Sequence, residues 1–340
     1  MKFIHFLELI IFNLLSVITF FRLKLKKINQ ANYYIFNLHE TDYLDSRSKG
    51  FKEDLRLNNS LNLVRVYGLR NCFIAYLNIP NIVFYNYLFF RNSFLIHILK
   101  SLYIKKLTTI DDYRVINNIY SICKKLNIFI EVYMHGRFSK KISSQKILQK
   151  VLFDKYYVWS NYFKKKLIEI NNNYKKSAIQ IFKNPNLGIV QKKLIIKDIN
   201  IILIQENNIK DSFIIKIFNQ LLKKKYFLFI KLRKEKVPSK ALLLFCKKNN
   251  IKIFFNEPIR SIFSKENIHV VLATNSTILL EASYYNIFPI MIKNQKNNLI
   301  DLLKDRVVFY ATNINKINDT IFSVLKKKRE LNVIKNKVWN

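Results

Sequence analysis

Thr274-Asn275-Ser276-Thr277 sets four short polar side chains between an apolar run, His269–Ala273, and a segment with helical apolar spacing, Ser276–Tyr285. A helix that starts there exposes unpaired backbone N–H groups and the positive end of its dipole, and both favour an anion. Glu281 follows one turn later, within reach of ligand hydroxyls. The competing reading is plain capping, with Asn275 or Ser276 as N-cap and Glu281 a solvated carboxylate.

Other chemically able residues also fall where strand-like runs end. Gln205 and Glu206 close Ile199–Ile204, Lys231 to Lys234 close Tyr226–Lys231, and Asn256-Glu257 follow Lys252–Phe255. His135 and Gly136 come just after Ile128–Tyr133. An imidazole there could act as a base or position an acceptor, and a structural histidine is the alternative. His5, His39, His97 and His269 lack comparable neighbours. Ser160-Asn161 and Asn184-Pro185, after two further runs, are expected to shape a cleft. Asp112 and Arg114 suit a helix cap or a local ion pair. Cys72, Cys123 and Cys246 have neither metal-ligand nor redox spacing, which points to buried thiols in a reducing compartment and to no metal site.

These positions need a scaffold, and the pattern supplies one. Strand-like runs at Tyr33–Leu38, Asn62–Tyr67, Asn81–Tyr85, Ile128–Tyr133, Lys155–Trp159 and Ala178–Phe182 are interleaved with helical spacing at Tyr87–Leu102, from Thr109 onward, and at Tyr162–Ile170. Residues 30–61 are otherwise polar and irregular. After a linker at Leu187–Asp198 the alternation restarts. Ile199–Ile204, Tyr226–Lys231, Lys252–Phe255, His269–Ala273 and Phe288–Ile292 are separated by helices at Ser212–Lys224, Ser239–Lys248, Ile259–Ser264 and Ser276–Tyr285. Such alternation predicts parallel sheets of the α/β class, in which ligands bind outside the carboxyl ends of the strands. The expected domains are 29–190 and 191–325, preceded by an apolar helix at 1–28 and followed by a basic helix at 326–340.

Of 340 residues, 59 are Lys or Arg and 22 Asp or Glu, a formal charge of +37. That surplus attracts polyanions, although a Lys-, Ile- and Asn-rich composition accounts for much of it. No helix-turn-helix, zinc-finger or RNP-like pattern accompanies it, so nucleic acid is not expected as a partner, whereas an anionic membrane surface is. Phe3–Phe21 is apolar apart from His5, Glu8, Asn13 and Ser16, and a basic cluster, Arg22, Lys24, Lys26 and Lys27, follows it. Its length leaves three readings open: a buried first helix, an interfacial anchor or a span. No small-residue cleavage site follows, and the positive flank would keep the bulk of the chain cytoplasmic.

The stretch VVLATNSTILLEASYYNIFPIMI resembles the strand–(S/N)ST–helix–E-A–G-x-P segment of GT-B glycosyltransferases that build bacterial surface polysaccharides such as capsule and lipopolysaccharide. It is also similar to related sugar-nucleotide epimerases and glycerophosphotransferases. A second stretch agrees in order: DDYRVINNIYSICKKLNIFIEVYMHGRFS, then FDKYYVWSNYFKKKL, then IQIFKNPNL. The resemblance implies two Rossmann-like doubly wound domains facing a cleft. It implies a metal-independent transferase without a cofactor, moving a sugar of hexosyl or sialyl type from a nucleotide-sugar donor to a glycan or lipid-linked acceptor. The enzyme would sit peripherally at the inner face of the membrane. Ser276 and Thr277 would face the donor phosphates and Glu281 the sugar or ribose. Thr274, Asn275, Gln205, Lys231 and Arg233 would complete the donor side, with His135 catalytic. Two departures stand out. Asn286-Ile287 replaces the usual glycine before Ile-Pro, and Arg233 replaces a histidine. The alternatives are a glycerol- or ribitol-phosphate transferase of the same architecture and a non-enzymatic, basic polyanion-binding protein. An epimerase would need more histidine and carboxylate groups than the second domain offers.

Overall fold

The computed structural model describes residues 2–25, 33–35, 55–59, 69–70, 73–74, 76–77, 82–85, 96, 99–110, 120–134, 150–182, 187, 198–206, 209–233, 236–274, 276–293 and 300–340. The chain forms two compact units. The first takes the described residues of 1–136, 143–159 and 167–185; the second takes those of 160–166 and 186–340.

Seven parallel strands build the sheet of the first unit: β1 (Tyr33–Ile35), β2 (Leu55–Asn59), β3 (Ile82–Tyr85), β4 (Lys106–Ile110), β5 (Phe129–Tyr133), β6 (Lys155–Val158) and β7 (Ile179–Ile181). Their order across the sheet is β3-β2-β1-β4-β5-β6-β7. Two of these strands depart from expectation. β2, with the polar sequence LRLNN, lies in the stretch read as irregular. Thr109 and Ile110, expected to open a helix, instead end β4, whose β-branched run suits a pleated strand. The strand expected at Asn62–Tyr67 lies outside the described residues, as do Asp112, Arg114 and Cys72. Asp154 precedes β6 and ties it to β5, accepting from Ile130 N at 2.8 Å and from Lys124.

The second unit repeats the design with β8 (Asn200–Ile204), β9 (Phe227–Lys231), β10 (Lys252–Phe254), β11 (Val270–Ala273), β12 (Phe288–Ile292) and β13 (Phe309–Ala311). All pairings are parallel, in the order β10-β9-β8-β11-β12-β13. The two sheets share one doubly wound logic: the chain lays strands outward to one side, then crosses back beside the first strand and continues the other way. Central strands β11 and β12 are buried along their whole length, which is why they read as unbroken apolar runs. Ile201, Leu203, Ile217, Phe218, Leu242, Val270 and Leu272 form the middle of this core. β13 and the helix Ile317–Leu325 extend the unit past the last strand expected from the sequence.

A C-terminal helix, Lys328–Trp339, completes the second unit by burying Leu331, Ile334 and Val338. It packs on the helix Ile278–Tyr284, where Trp339 Nε1 donates to Leu280 O at 3.2 Å and to Ser283 Oγ at 3.1 Å. Among the described residues no helix is long and apolar enough to cross a membrane.

With only four glycines in the chain, helix termination falls to other residues. Tyr103, Asn127, Asn250, Asn286 and Arg306 adopt φ between 50° and 57°. In each case the next residue closes a six-residue ring back to the helix: Ile104 N to Leu99 O, Ile128 N to Cys123 O, Ile251 N to Cys246 O, Ile287 N to Ala282 O and Val307 N to Leu302 O. Those five aliphatic residues are buried, so each cap also seats a core side chain. Asn286 thereby does the conformational work of the glycine its motif usually carries, since asparagine tolerates the left-handed region better than most residues. Tyr103 has no such tolerance, and its side chain is 78% exposed. Tyr103→Gly should therefore raise stability, by about 0.5–1 kcal/mol in urea unfolding. An unchanged or lower midpoint would show that the left-handed cap carries little strain.

Candidate functional site

In the second sheet β8 has β9 on one side and β11 on the other, so the connections run in opposite directions from it. That reversal is a topological switch point at the carboxyl ends of β8 and β11, the kind of place where doubly wound sheets take ligands. Two residues from these ends meet there. Glu206, 7% exposed, accepts from Thr274 N at 2.8 Å and from Thr274 Oγ1 at 2.7 Å. One carboxylate thus satisfies both donors of a buried threonine and fixes the turn after β11.

The turn leads into the helix Ile278–Tyr284, with Thr277 as its N-cap in helical conformation. Ser276 Oγ accepts from Ile278 N at 3.2 Å. Ser276 is therefore the residue before the cap rather than the cap itself, and its hydroxyl proton is still available to an acceptor oxygen. Thr277 makes no side-chain cap bond. Glu281 stands one turn on, its N–H bonded to Thr277 O. Loss of hydration on burial pushes its carboxyl up to about 7. Among the described residues no hydrogen bond or ion pair reaches that carboxyl. A carboxyl group in this condition is a perturbed, uncompensated acceptor.

Several expected donor contacts are placed otherwise. Gln205 is fully buried. Its Nε2 donates to Asp211 Oδ1 at 3.2 Å, and its Oε1 accepts from Arg233 N at 3.1 Å. It is a bracket between the loops after β8 and β9, so direct donor contact is corrected to internal support. Thr274, 2% exposed, is likewise internal. Lys231 Nζ donates to Leu232 O and Phe255 O, both at 2.8 Å, stitching the ends of β9 and β10 together. Arg233 is exposed at the same end of the sheet. Asn275, His135, Gly136, Asn184 and Pro185 lie outside the described residues. Ser160 Oγ donates to Val338 O, and Asn161 Nδ2 to Asn340 O at 3.2 Å. Both tether the C-terminal helix.

Sequence reasoning missed the support beneath this end of the sheet. Asp211 opens the helix Asp211–Leu221 and binds Gln205, Ser239 N at 2.7 Å and Lys236 Nζ at 3.4 Å. Burial alone would push the Asp211 carboxyl up. Its hydrogen bonds from Ser239 and Gln205, with Lys236 nearby, outweigh that and hold it below the ordinary value. Lys236 also donates to Ile209 O. The one available signal was an aspartate at a helix start, a common feature. Among the described residues no group of three or more His, Cys, Asp or Glu could hold a metal ion.

Two Rossmann-like parallel sheets, each doubly wound, define the α/β two-domain fold of GT-B proteins, and this chain has it. Among solved structures it is similar to S. aureus MnaA in complex with UDP (11% identity, 92% of each chain covered, TM-score 0.61). It is also similar to the UDP-GlcNAc 2-epimerase of Neisseria meningitidis bound to UDP-GlcNAc (9% identity, 90% of this chain and 94% of that chain covered, TM-score 0.58). A third similar structure is apo WaaB, a lipopolysaccharide outer core galactosyltransferase (11% identity, 91% and 94% covered, TM-score 0.51). At these identities the likeness is one of fold. No family profile matches the sequence, and no curated protein matches it.

Proposed function

We propose that the chain is a glycosyltransferase that moves a sugar from a nucleotide-sugar donor to a surface-glycan or lipid-linked acceptor without a metal ion. The observation that carries this reading is the switch point at β8 and β11, where Glu206 pins Thr274 just before Ser276, Thr277 and Glu281 in the chain. Hydroxyl donors at Ser276 and Thr277 suit the leaving phosphates, and Glu281 suits sugar or ribose hydroxyls. Arg233, exposed at the neighbouring strand end, can pair with phosphate oxygens in bidentate fashion. The matched structures of MnaA and the N. meningitidis epimerase hold UDP and UDP-GlcNAc, so a uridine donor heads the panel to test. His135, which follows β5 closely in sequence, is the proposed base or acceptor-positioning group. In this reading the enzyme works on the cytoplasmic side of the membrane that carries its acceptor.

Because epimerases share the fold, the product must separate the two reactions. From Leu187 to Asn340 the sequence has a single histidine, His269. It is fully buried, its Nδ1 accepts from Asn200 N at 3.1 Å, and it lies at the amino end of β11, away from the carboxyl-end switch point. That arrangement favours transfer over epimerisation.

The test is calorimetry of UDP-, GDP- and CMP-sugars on the native chain and on Ser276→Ala/Thr277→Ala. One donor should bind natively and lose about 10–100-fold in affinity in the double variant, the equivalent of one or two charge-assisted hydrogen bonds. Equal affinity in both proteins would remove these residues from the donor site. Magnetic resonance of the incubated donor then distinguishes an epimerised sugar from one released or transferred.

A further inference from the structure

The N-terminal helix Lys2–Leu25 packs one side on its own unit and leaves the other exposed. Among its described side chains, Phe12, Asn13, Ser16 and Thr19 are buried. Ser16 Oγ donates to Phe12 O and Thr19 Oγ1 to Leu15 O, each at 2.8 Å. Tyr76 OH meets both Thr19 and Leu15 O, fastening the helix to its unit, where it also packs on β3. Ser16 and Thr19 thus return their hydroxyls to the helix backbone and so let it lie close against its neighbours.

Its outward side is made of large apolar residues. Leu14 is 63% exposed, Phe21 57% and Ile18 52%, and Phe6, Leu7, Ile10 and Ile11 are each at least 40% exposed. At 100° per residue these seven share an arc of about 140°, opposite the buried side. A hydrophobic stripe this long, facing away from its own core, needs an apolar environment. Immediately after it the sequence carries Arg22, Lys24, Lys26 and Lys27, on a chain of net charge +37.

We infer that this helix lies in the interface of an anionic lipid bilayer, with Leu14, Ile18 and Phe21 inserted among the acyl chains and the surplus of basic residues in the sequence drawing the chain to the lipid phosphates. The charge selects the occupant. A second copy of the same chain would bring like charges together, whereas anionic lipid supplies both apolar depth and a complementary surface. Among the described residues no helix is long and apolar enough to cross the bilayer, so an in-plane position suits this one. This inference concerns the first unit and stands apart from the donor site of the second, so either can fail without the other.

The test uses the full chain and sedimentation with vesicles of phosphatidylcholine alone or with 30–40% phosphatidylglycerol, roughly the charge of an anionic leaflet. The native chain should pellet with the anionic vesicles, and raised salt should weaken that binding without abolishing it, because the apolar part is unscreened. Leu14→Asp/Ile18→Asp should lower the partition coefficient at least tenfold. Leu244→Asp, at an equally exposed leucine of the second unit (67%), should leave it unchanged. Circular dichroism of both variants reports whether they remain folded. Three results would overturn the inference: no binding of the native chain, equal binding by the double variant, or a native dimer in light scattering that the double variant dissolves.

Discussion

Glu206→Ala will destabilise the second unit by about 2–6 kcal/mol, the sum of roughly 1–3 for each of two buried donors left without an acceptor. Both donors belong to Thr274, whose N–H and Oγ1 lie 2.8 and 2.7 Å from the carboxylate. No water can replace the lost acceptor without opening the turn, because Thr274 is 2% and Glu206 7% exposed. In a unit of this size each kcal/mol moves the midpoint about 2–4 °C, so the expected fall is roughly 4–24 °C. Glu206→Gln keeps one acceptor oxygen and should lose less. Combining Glu206→Ala with Thr274→Val removes one of the orphaned donors together with its partner, and should recover about 1–2 kcal/mol in a double-mutant cycle. A Glu206→Ala variant with native stability, or a cycle with no coupling, would mean that the pair does not hold the turn. The functional corollary is that donor affinity should fall with the turn, although Glu206 itself need touch no ligand.

The same pair shows where sequence reading succeeds and where it stops. Each residue was legible as lying at a strand end, because β8 and β11 are apolar runs of strand length bounded by polar residues. That the two side chains meet was not, since 68 positions separate them and no local pattern encodes a contact across a crossover. Gln205 illustrates the resulting error: it sits beside Glu206 in sequence and in the same sheet end, yet it is turned inward to support two loops. The helix Lys240–Lys248 was readable to within one residue, the expected start, Ser239, being the cap that accepts from Leu242 N. β2 was hidden for the opposite reason, as its polar residues interrupt the apolar signal on which strand recognition depends. The departure at Asn286 looked like a defect in a motif. With φ at 57° it proves to be the same turn built from the residue that comes nearest to glycine. The role of Ser160, bonded to a carbonyl 178 positions away, could not have been inferred locally.

Glu281→Gln should act on stability and on ligand binding in opposite directions. Burial raises the Glu281 carboxyl from an ordinary 4.5 to about 7. Between those values the folded chain holds a proton that the unfolded chain has released, so stability contributed at this site falls as pH rises from about 4.5 to about 7 and is level above that. Replacing the acid with a neutral isostere removes the slope. Above pH 7 it should stabilise the second unit by about 1–3 kcal/mol, the lower end reflecting the residue's partial exposure. A ligand hydroxyl has the reverse preference, because it donates more strongly to a carboxylate than to a carboxylic acid or an amide. Donor affinity in the native chain should therefore climb as pH passes through about 7. In Glu281→Gln it should be flat with pH and about 10–100-fold weaker on the alkaline side. Urea unfolding and calorimetry across pH 5–9 read both effects on the same protein. A glutamine variant that is less stable than the native chain would identify an internal role for the carboxylate. One that is more stable but binds donor as well as before would leave Glu281 outside the donor site. The paired outcome, a more stable protein that grips its donor less well, is what a carboxylate kept unpartnered for a ligand requires, since the fold alone gains nothing from burying it.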